Sequence, residues 1–118
     1  MHPNCVIYAA LDPVQIAFLE LRELSADRES GLTIVLKSSP VIRSAFIRSL
    51  VLNSDYNAAS ARQAIDTGAA DAISIGCPFI ANPDLPLRIK RGVPLAAGDA
   101  ATWYSGVTAG YFDYPPAT

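Results

Sequence analysis

Residues 49–76, SLVLNSDYNAASARQAIDTGAADAISIG, decide the fold, because two short apolar runs in this stretch enclose one helical pattern. The runs Ser49 to Ser54 and Asp71 to Gly76 are partly β-branched, which is typical of strands covered on both faces. Between them, Asn57 can cap a helix that ends at Gly68. The buried face of this helix would carry small and aliphatic side chains, at Ala61, Ala64 and Ile65. Such tight crossover connections require the two strands to be parallel.

The same alternation extends toward the N-terminus. Ile16 to Leu21 is a further apolar run and predicts a buried strand, with a helix before it over Cys5 to Leu11. Thr33 to Leu36 is either a short strand or a loop packed over the end of the sheet. The order predicted up to residue 76 is therefore that of alternating strands and helices.

A second helix start lies between the first two predicted strands. Ser39 before Pro40 predicts an N-cap followed by proline at the first helical position. Ile42 and Phe46 are four residues apart, so they share one face of this helix and are expected to face the sheet.

The sequence after Pro78 is punctuated by prolines and predicts short helices and extended pieces. These prolines stand at positions 83, 86, 94, 115 and 116. Asp84 is expected to cap a helical turn that runs through Arg91 and ends at Gly92. Aromatic residues are dense between Thr102 and Tyr114.

Composition favours one water-soluble domain over residues 1–118. The chain has 118 residues, 51% of them hydrophobic and 17% charged, and a formal net charge of −2. This hydrophobic content suits a packed core, and the slight acidity argues against nucleic acid or an anionic membrane as a partner. The basic trio Arg88, Lys90 and Arg91 is interpreted as the solvated face of a short helix. No run of eighteen apolar residues predicts a membrane span.

The cysteines and the single histidine exclude several kinds of site. Cys5 and Cys77 lie far apart and fit no metal-ligand spacing, which favours a reduced, cytoplasmic protein. The N-terminus lacks the pattern of a signal peptide. His2 is the only histidine, so no metal site and no Ser-His-Asp triad is predicted.

From Leu50 onward, the sequence resembles the old yellow enzyme family of flavin oxidoreductases. The stretches that carry the resemblance are Leu52-Asn53-Ser54-Asp55-Tyr56, Gly68 to Gly76, Pro78 to Pro86, Trp103-Tyr104 and Gly110 to Pro115. The most specific are Phe79 to Pro86 and the closing Gly-Tyr-x-Asp-Tyr-Pro. Ile16 to Leu21 resembles the family's sixth strand less closely, because Glu20 stands where a histidine is usual.

The resemblance implies the C-terminal part of a (β/α)8 TIM barrel, from the fifth helix through strands six to eight to the tail. It also implies FMN as the cofactor, NADPH or NADH as the reductant and an activated alkene as the substrate. In such barrels the active site lies at the C-terminal ends of the strands, and loops after strands seven and eight often hold a phosphate. The cofactor-binding residues expected on this basis are Asn53, Ser54, Gly76, Cys77, Trp103 and Tyr104. Ser54, Gly76 and Cys77 would line the FMN phosphate, and Trp103 and Tyr104 would lie near the flavin ring.

Cys77 is the main departure from the family pattern, which has arginine after this glycine. Losing a charge-assisted pair to phosphate costs on the order of 1.5–3 kcal/mol, or roughly ten- to a hundred-fold in affinity. FMN binding is therefore expected to be weakened. Cys77 is either a small residue that fills space in a decayed site or a reactive thiol at a helix start.

No catalytic residue is assigned in this chain. By resemblance, strands one to five carry the groups that bind the substrate carbonyl and protonate the alkene, and these positions are not in the sequence. Three strands cannot close a barrel and leave two open edges. The chain is therefore expected to be inactive by itself, and to pair with a chain that supplies the missing strands, to form a homo-oligomer or to aggregate.

Four further residues each have two interpretations. Asp55 is a general base or a cap of the turn before Asn57. Glu20 is a functional carboxylate or is paired with Arg22 or Arg43. Tyr104 contacts a ligand or packs at the barrel end, and Asp113 is a turn or salt-bridge residue.

Three functions follow as hypotheses. The first is the C-terminal portion of an FMN-dependent alkene reductase that contributes the flavin-phosphate site. The second is a flavin-independent, repurposed barrel fragment that binds a small molecule or acts as a cofactor-free isomerase or cyclase. The third is a vestigial product without activity.

Overall fold

The structure, a computed structural model, describes residues 10–23, 37–104, 108–110 and 113–117. The chain divides into two compact units, Met1–Ser74 and Ile75–Thr118, each of which is described by itself. The segment 33–36 and almost all of the helix predicted over Cys5 to Leu11 lie outside the described residues. The single-domain organisation stays a prediction.

Helices and strands alternate in the first unit, as predicted. Its elements are a 3-10 helix (Asp12–Val14), β1 (Phe18–Arg22), α1 (Ser39–Ala45), β2 (Ser49–Asn53), α2 (Ala58–Asp66) and β3 (Ala72–Ser74). The second unit contains α3 (Cys77–Ile80) and α4 (Leu85–Arg91). No helix in the described ranges is long and apolar enough to cross a bilayer.

The three strands form one parallel sheet in the order β1-β2-β3. Leu19 of β1 pairs with Leu50 of β2, and Leu52 of β2 pairs with Ile73 of β3. Because consecutive parallel strands pair directly through helical crossovers, this is the βαβαβ arrangement expected of a barrel segment.

One face of the sheet holds the core. The buried cluster joins this face to the end of α1 and comprises Ile42, Phe46, Leu50, Leu52 and Ala70. Ile42 and Phe46 are fully buried, so the predicted shared face is confirmed.

The opposite face of the sheet is open in the described part of the chain. Phe18 is 55% exposed, and Glu20 and Arg22 on the same face of β1 are also exposed. The expectation of strands covered on both faces is therefore wrong for these residues. Successive side chains of a strand point to opposite faces, and the described helices cover only one of the two.

Helix α1 begins one residue earlier than predicted. Its N-cap is Ser38, which makes no side-chain capping bond, and Ser39 is already helical. The Ser39 N–H donates to Glu23 Oε1 at 2.7 Å, and Ser39 Oγ donates to Glu23 Oε2 at 2.8 Å. The predicted Ser39 cap is therefore wrong, because a carboxylate from the end of β1 accepts the helix N–H in its place.

Helix α2 is capped by Asn57, as predicted. Asn57 Oδ1 accepts from the Ser60 N–H at 2.9 Å, and Ser60 Oγ accepts from the Asn57 N–H at 3.0 Å, which completes a capping box. Gly68 follows the helix with a φ of 72°. Ala64 is buried as expected, but Ile65 remains 41% exposed, because it lies about 100° further around the helix.

A network of charged and backbone groups joins α1 to the starts of β2 and β3. Asp71 Oδ2 accepts from the Leu50 N–H at 2.8 Å and from Arg43 Nη1 at 2.6 Å. Arg43 Nη2 donates to the carbonyls of Phe46 and Arg48. The two bonds that Asp71 accepts lower its pKa. The bond from the Leu50 N–H has the larger effect and the bond from Arg43 the next.

Stability should fall in acid, because the pKa of Asp71 is lower in the folded chain than in the unfolded one. The contribution of this carboxylate is present above the unfolded pKa and is lost as the pH falls through the folded pKa. We expect the urea midpoint, followed by circular dichroism, to fall as the pH drops below about 4. Asp71→Asn should flatten this fall, whereas Asp66→Asn should leave it unchanged. Identical acid profiles for the parent and Asp71→Asn would contradict the assignment.

The second unit is held by a buried arginine. Arg88 is 8% exposed. Its Nε donates to Asp84 Oδ1 at 2.7 Å, and its two Nη atoms donate to the carbonyls of Pro94 and Pro115 at 3.2 and 3.0 Å. The Asp84 Oδ2 atom accepts from the Ala117 N–H at 2.8 Å, and these partners lower the pKa of Asp84, Arg88 first and Ala117 next. The C-terminal tail, which contains Pro115 and Ala117, is thereby bound to α4.

Two predictions for α4 are therefore wrong in part. Asp84 stands at the N-cap position but makes no capping bond with its side chain, because Arg88 and Ala117 occupy the carboxylate. The solvated face was predicted to include Arg88, which is buried, whereas Lys90 and Arg91 are exposed as expected. Gly92 ends the helix as predicted, with a φ of 66°.

Asn82 is a second buried polar residue in this unit. It has no exposed surface. Its Nδ2 donates to the carbonyls of Pro78 and Ala96 at 2.8 and 3.0 Å, and its Oδ1 accepts from the Ala96 N–H at 2.8 Å. Two of these bonds join Asn82 to the segment after α4, and the third joins it to Pro78 in α3.

Candidate functional site

The turn after β2 has an unusual backbone conformation. Ser54 has a φ of 140° and Asp55 a φ of 47°, values that side-chain-bearing residues rarely adopt. The first lies in a region that only glycine enters freely, and the second is tolerated best by asparagine and aspartate. Strain of this kind is common at binding sites, where the surrounding structure holds the backbone in place.

A shallow cleft of ≈ 160 Å³ opens beside this turn. It is lined by Glu23, Lys37, Asn53, Ser54, Asp55, Tyr56 and Ser60. These residues come from the carboxyl ends of β1 and β2, from the segments that lead into α1 and α2, and from the first turn of α2, which contains Ser60. Since the carboxyl ends of parallel strands meet at one edge of a sheet, this is the end at which barrel enzymes bind their ligands. Asn53 and Ser54, both predicted for the site, lie together here.

Several polar groups of the cleft already have partners. Both oxygens of Glu23 accept bonds from Ser39, and the Ser60 hydroxyl belongs to the capping box. Asn53 Nδ2 donates to Glu20 Oε1 at 3.0 Å. The suggestion that Glu20 pairs with Arg22 or Arg43 is therefore wrong, because Asn53 is its partner and Arg43 is bound to Asp71.

Other groups of the cleft differ in burial and in hydrogen bonding. Ser54 Oγ is buried and has no hydrogen-bond partner among the described residues. The pKa of Tyr56 is raised by burial and, to a smaller extent, by the Glu23 carboxylate, so its hydroxyl keeps its proton at neutral pH. Asp55 is exposed. Asp55 makes no capping bond within the described ranges, where Asn57 itself caps α2.

Sequence reasoning missed four of the residues that line the cleft. They are Glu23, Lys37, Tyr56 and Ser60. Two of them could have been found from their position in the sequence, because Glu23 directly follows β1 and Tyr56 belongs to the turn after β2. Lys37 and Ser60 carry no such signal, since their place depends on how α1 and α2 begin.

The strain in the turn predicts an effect on stability. Replacing Ser54 by glycine should raise the free energy of unfolding by about 1–3 kcal/mol, because glycine adopts a φ of this kind without steric cost. Urea titration followed by circular dichroism measures the change. The matched control is Ser44→Gly in α1, which should instead lower the free energy of unfolding by about 0.5–1 kcal/mol. A loss of stability in Ser54→Gly would contradict the strained conformation.

Gly76 and Cys77, predicted for the same function, lie in the second unit at the start of α3. A Cβ added at Gly76 would meet no atom within 4 Å, so the backbone here is open to close approach, as predicted. The φ of Gly76 is −102°, which does not itself require glycine. The Cys77 thiol is free and exposed, so it fills no space in the described structure and the space-filling interpretation is wrong.

Trp103 and Tyr104 also lie in the second unit. Tyr104 is 93% exposed, so its packing interpretation is wrong in the described structure and its hydroxyl is free to meet a ligand. Trp103 packs on Gly98, where an added Cβ would come within 3.0 Å of Cζ2, and its Nε1 is buried without a partner among the described residues. Asp113 is a turn residue, because its Oδ1 accepts from the Gly110 N–H at 2.7 Å.

Comparison with known proteins shows that part of the chain is similar to a protein described as a flavin-dependent alkene reductase. No protein-family model matches the chain. A protein of Leishmania infantum described as a probable flavin mononucleotide-dependent alkene reductase is 49% identical over 55 residues, which make up 47% of this chain and 15% of that protein.

Two solved structures are similar to almost the whole of this chain. The old yellow enzyme homologue from Zymomonas mobilis is 45% identical with a TM-score of 0.89, and the match covers 97% of this chain and 32% of that one. Morphinone reductase in complex with tetrahydroNAD is 33% identical with a TM-score of 0.82, and the match covers 97% and 30% of the two chains. The resemblance to the old yellow enzyme family and the partial barrel are thereby confirmed. The chain spans less than a third of the length of these relatives.

The charges of the cleft do not fit an FMN phosphate. Among the described residues, the cleft presents two carboxylates, Glu23 and Asp55, and one cation, Lys37. A phosphate site normally combines backbone N–H groups with at least one cation and avoids nearby carboxylates. In the second unit, Gly76 provides the open backbone but Cys77 provides no charge.

Proposed function

We propose that this chain is the C-terminal portion of a flavin-dependent, NAD(P)H-using alkene reductase and contributes strand-end turns to the flavin site. The similarity to the Zymomonas mobilis protein over 97% of this chain is the observation that carries the proposal. By resemblance, the turn after β2 contributes Asn53 and Ser54, and the start of α3 contributes Gly76 and Cys77. Trp103 and Tyr104 would lie near the flavin ring and the substrate, and FMN binding would be weakened by Cys77.

The complete barrel requires strands that these residues do not provide. The open face of β1–β3, where Phe18 is 55% exposed, supports this requirement. The missing strands would come from a longer chain or from a partner chain, and they would carry the groups that hold the alkene and move the proton. A homo-oligomer, a cytoplasmic location and the absence of a nucleic-acid partner stay predictions.

Complementation tests this proposal. The purified chain is mixed with a polypeptide that comprises the Zymomonas mobilis protein without its matched C-terminal third, and the mixture is analysed by size-exclusion chromatography. We expect one co-eluting complex. Phe18→Arg, which places a charge on the open face, should weaken it, whereas Leu95→Arg, at a residue exposed to a similar extent, should not. Separate elution of the two polypeptides would contradict the proposal.

A second function is favoured by one observation. The charges of the cleft do not suit phosphate, which supports a flavin-independent barrel fragment that binds another small molecule. In that case the complementation complex would form without taking up any flavin, and a cofactor-free isomerase or cyclase activity would be the next assay.

A further inference from the structure

The open face of β1 carries two charged side chains next to an aromatic one. Phe18, Glu20 and Arg22 are exposed, and they lie on the same side of the sheet because successive side chains of a strand alternate between its faces. β1 is also an edge strand in the described part of the chain, since it pairs with β2 on one side. A strand that pairs with its other edge would therefore place side chains beside these three.

The Glu20 carboxylate has one protein partner among the described residues. Its Oε1 accepts from Asn53 Nδ2 at 3.0 Å, and this amide carries no charge. No cation forms an ion pair with Glu20 in the described ranges. Because Glu20 is exposed, water compensates its charge as long as this face of the sheet stays open.

Arg22 is close to Glu20 in sequence but does not neutralise it. Two residues along a strand are about 6.5–7 Å apart, so the two side chains start from different levels of the sheet. Arg22 is level with Asn53, whereas Glu20 is level with Val51. The Glu20 carboxylate turns to the Asn53 amide, and no ion pair joins it to Arg22 in the described structure.

Closure of the barrel would remove water from this face. The interior of an eight-stranded barrel is filled by the inward-pointing side chains of its strands. A carboxylate that enters such an interior loses its hydration, and one hydrogen bond from a neutral amide does not replace it, so a cation is needed beside it. The histidine that is usual at this position in the family can stay neutral and makes no such demand.

We infer that the strand which pairs with the unpaired edge of β1 carries a lysine or arginine on its inward face, level with Glu20. The inference rests on the proposed function, because it describes the strand that completes the barrel. Side chains of neighbouring strands that lie level on one face contact each other, so the cation and the Glu20 carboxylate form a cross-strand ion pair. Glu20 thereby selects the complementing strand by its charge.

Moving one charge in the complementing polypeptide tests this inference. The Zymomonas mobilis polypeptide without its matched C-terminal third is prepared unchanged and in versions with one lysine each, at successive inward-facing positions of its last strand. By resemblance, this strand precedes β1 in the barrel. Calorimetric titration with the full chain gives the dissociation constants. We expect one lysine version to bind at least about tenfold more tightly than the unchanged polypeptide. A lysine at an outward-facing position of the same strand is the matched control and should bring no gain.

Variants of this chain show which residue responds to the lysine. Glu20→Gln removes the carboxylate, so it should bind the lysine version and the unchanged polypeptide equally to within about twofold. Asp66→Asn removes a carboxylate at the exposed end of α2 and should keep the full gain.

Each outcome supports or overturns the inference. If complexes form but no lysine position brings a gain, the inference fails and the proposed function stands; neutralisation of Glu20 by Arg22 in the closed barrel would give this result. An equal gain in Glu20→Gln would overturn the role of Glu20. If a second copy of this chain covers the open face instead, the chain elutes as a dimer and binds none of the polypeptides, which contradicts both the inference and the proposed function.

Discussion

Replacing Phe46 by alanine is expected to lower the free energy of unfolding of the first unit by about 3–5 kcal/mol. Phe46 is the largest fully buried side chain of the described residues, and it joins the C-terminal end of α1 to Leu50 and Leu52 on the covered face of the sheet. Its removal loses the transfer free energy of the ring and leaves a cavity that the short elements cannot close. Urea titration followed by circular dichroism measures the change.

The neighbouring residue provides the matched control. Ile47 is 77% exposed, so Ile47→Ala should change the free energy of unfolding by less than about 0.5 kcal/mol. A loss of similar size in both variants would contradict the packing of this core, because only one of the two side chains is inside it.

Replacing Arg88 by alanine is expected to cost about 3–5 kcal/mol in the second unit. The substitution removes an ion pair with Asp84 and leaves the carbonyls of Pro94 and Pro115 without their donors. The tail should then be held less firmly, because it loses the bond at Pro115 and keeps the bond from the Ala117 N–H to Asp84. Hydrogen exchange at the Ala117 amide should accelerate together with the loss of stability, which the fluorescence of Trp103 reports.

Lys90→Ala is the control for this change. Lys90 lies two residues further along the same helix and is exposed, so its loss should have an effect within about 0.5 kcal/mol. Unchanged exchange at Ala117 in Arg88→Ala would contradict the role of this arginine in holding the tail.

The order and pairing of the elements followed from the sequence, because short apolar runs separated by helical patterns leave few arrangements. The run before Asn53 and the run after Gly68 became neighbouring parallel strands. The caps at Asn57 and Gly92 were also foreseen, since each depends on residues within one helical turn. Asn53 and Ser54 were predicted for the site because they end a strand on the side at which barrels bind ligands.

Errors arose wherever a partner distant in sequence replaced a local one. Ser39 was expected to cap α1, but Glu23 lies 16 residues away and takes its N–H. Arg88 was expected to be solvated on α4, but it is buried and donates to the carbonyl of Pro115, 27 residues away. The strain at Ser54 has no signal in a sequence that lacks glycine there. None of these features can be derived from periodicity, which describes only neighbours on one helix or strand.

The flavin content of the complemented barrel shows whether this chain supplies part of a flavin site. The complex of this chain with the Zymomonas mobilis polypeptide is isolated by gel filtration after incubation with riboflavin and FMN, and its absorption spectrum is recorded. We expect the isolated complex to be yellow, and we expect Ser54→Val, which removes a hydroxyl without a partner among the described residues, to lower the bound flavin. A folded, monodisperse complex that carries no flavin absorption would contradict the claim that this chain supplies part of a flavin site.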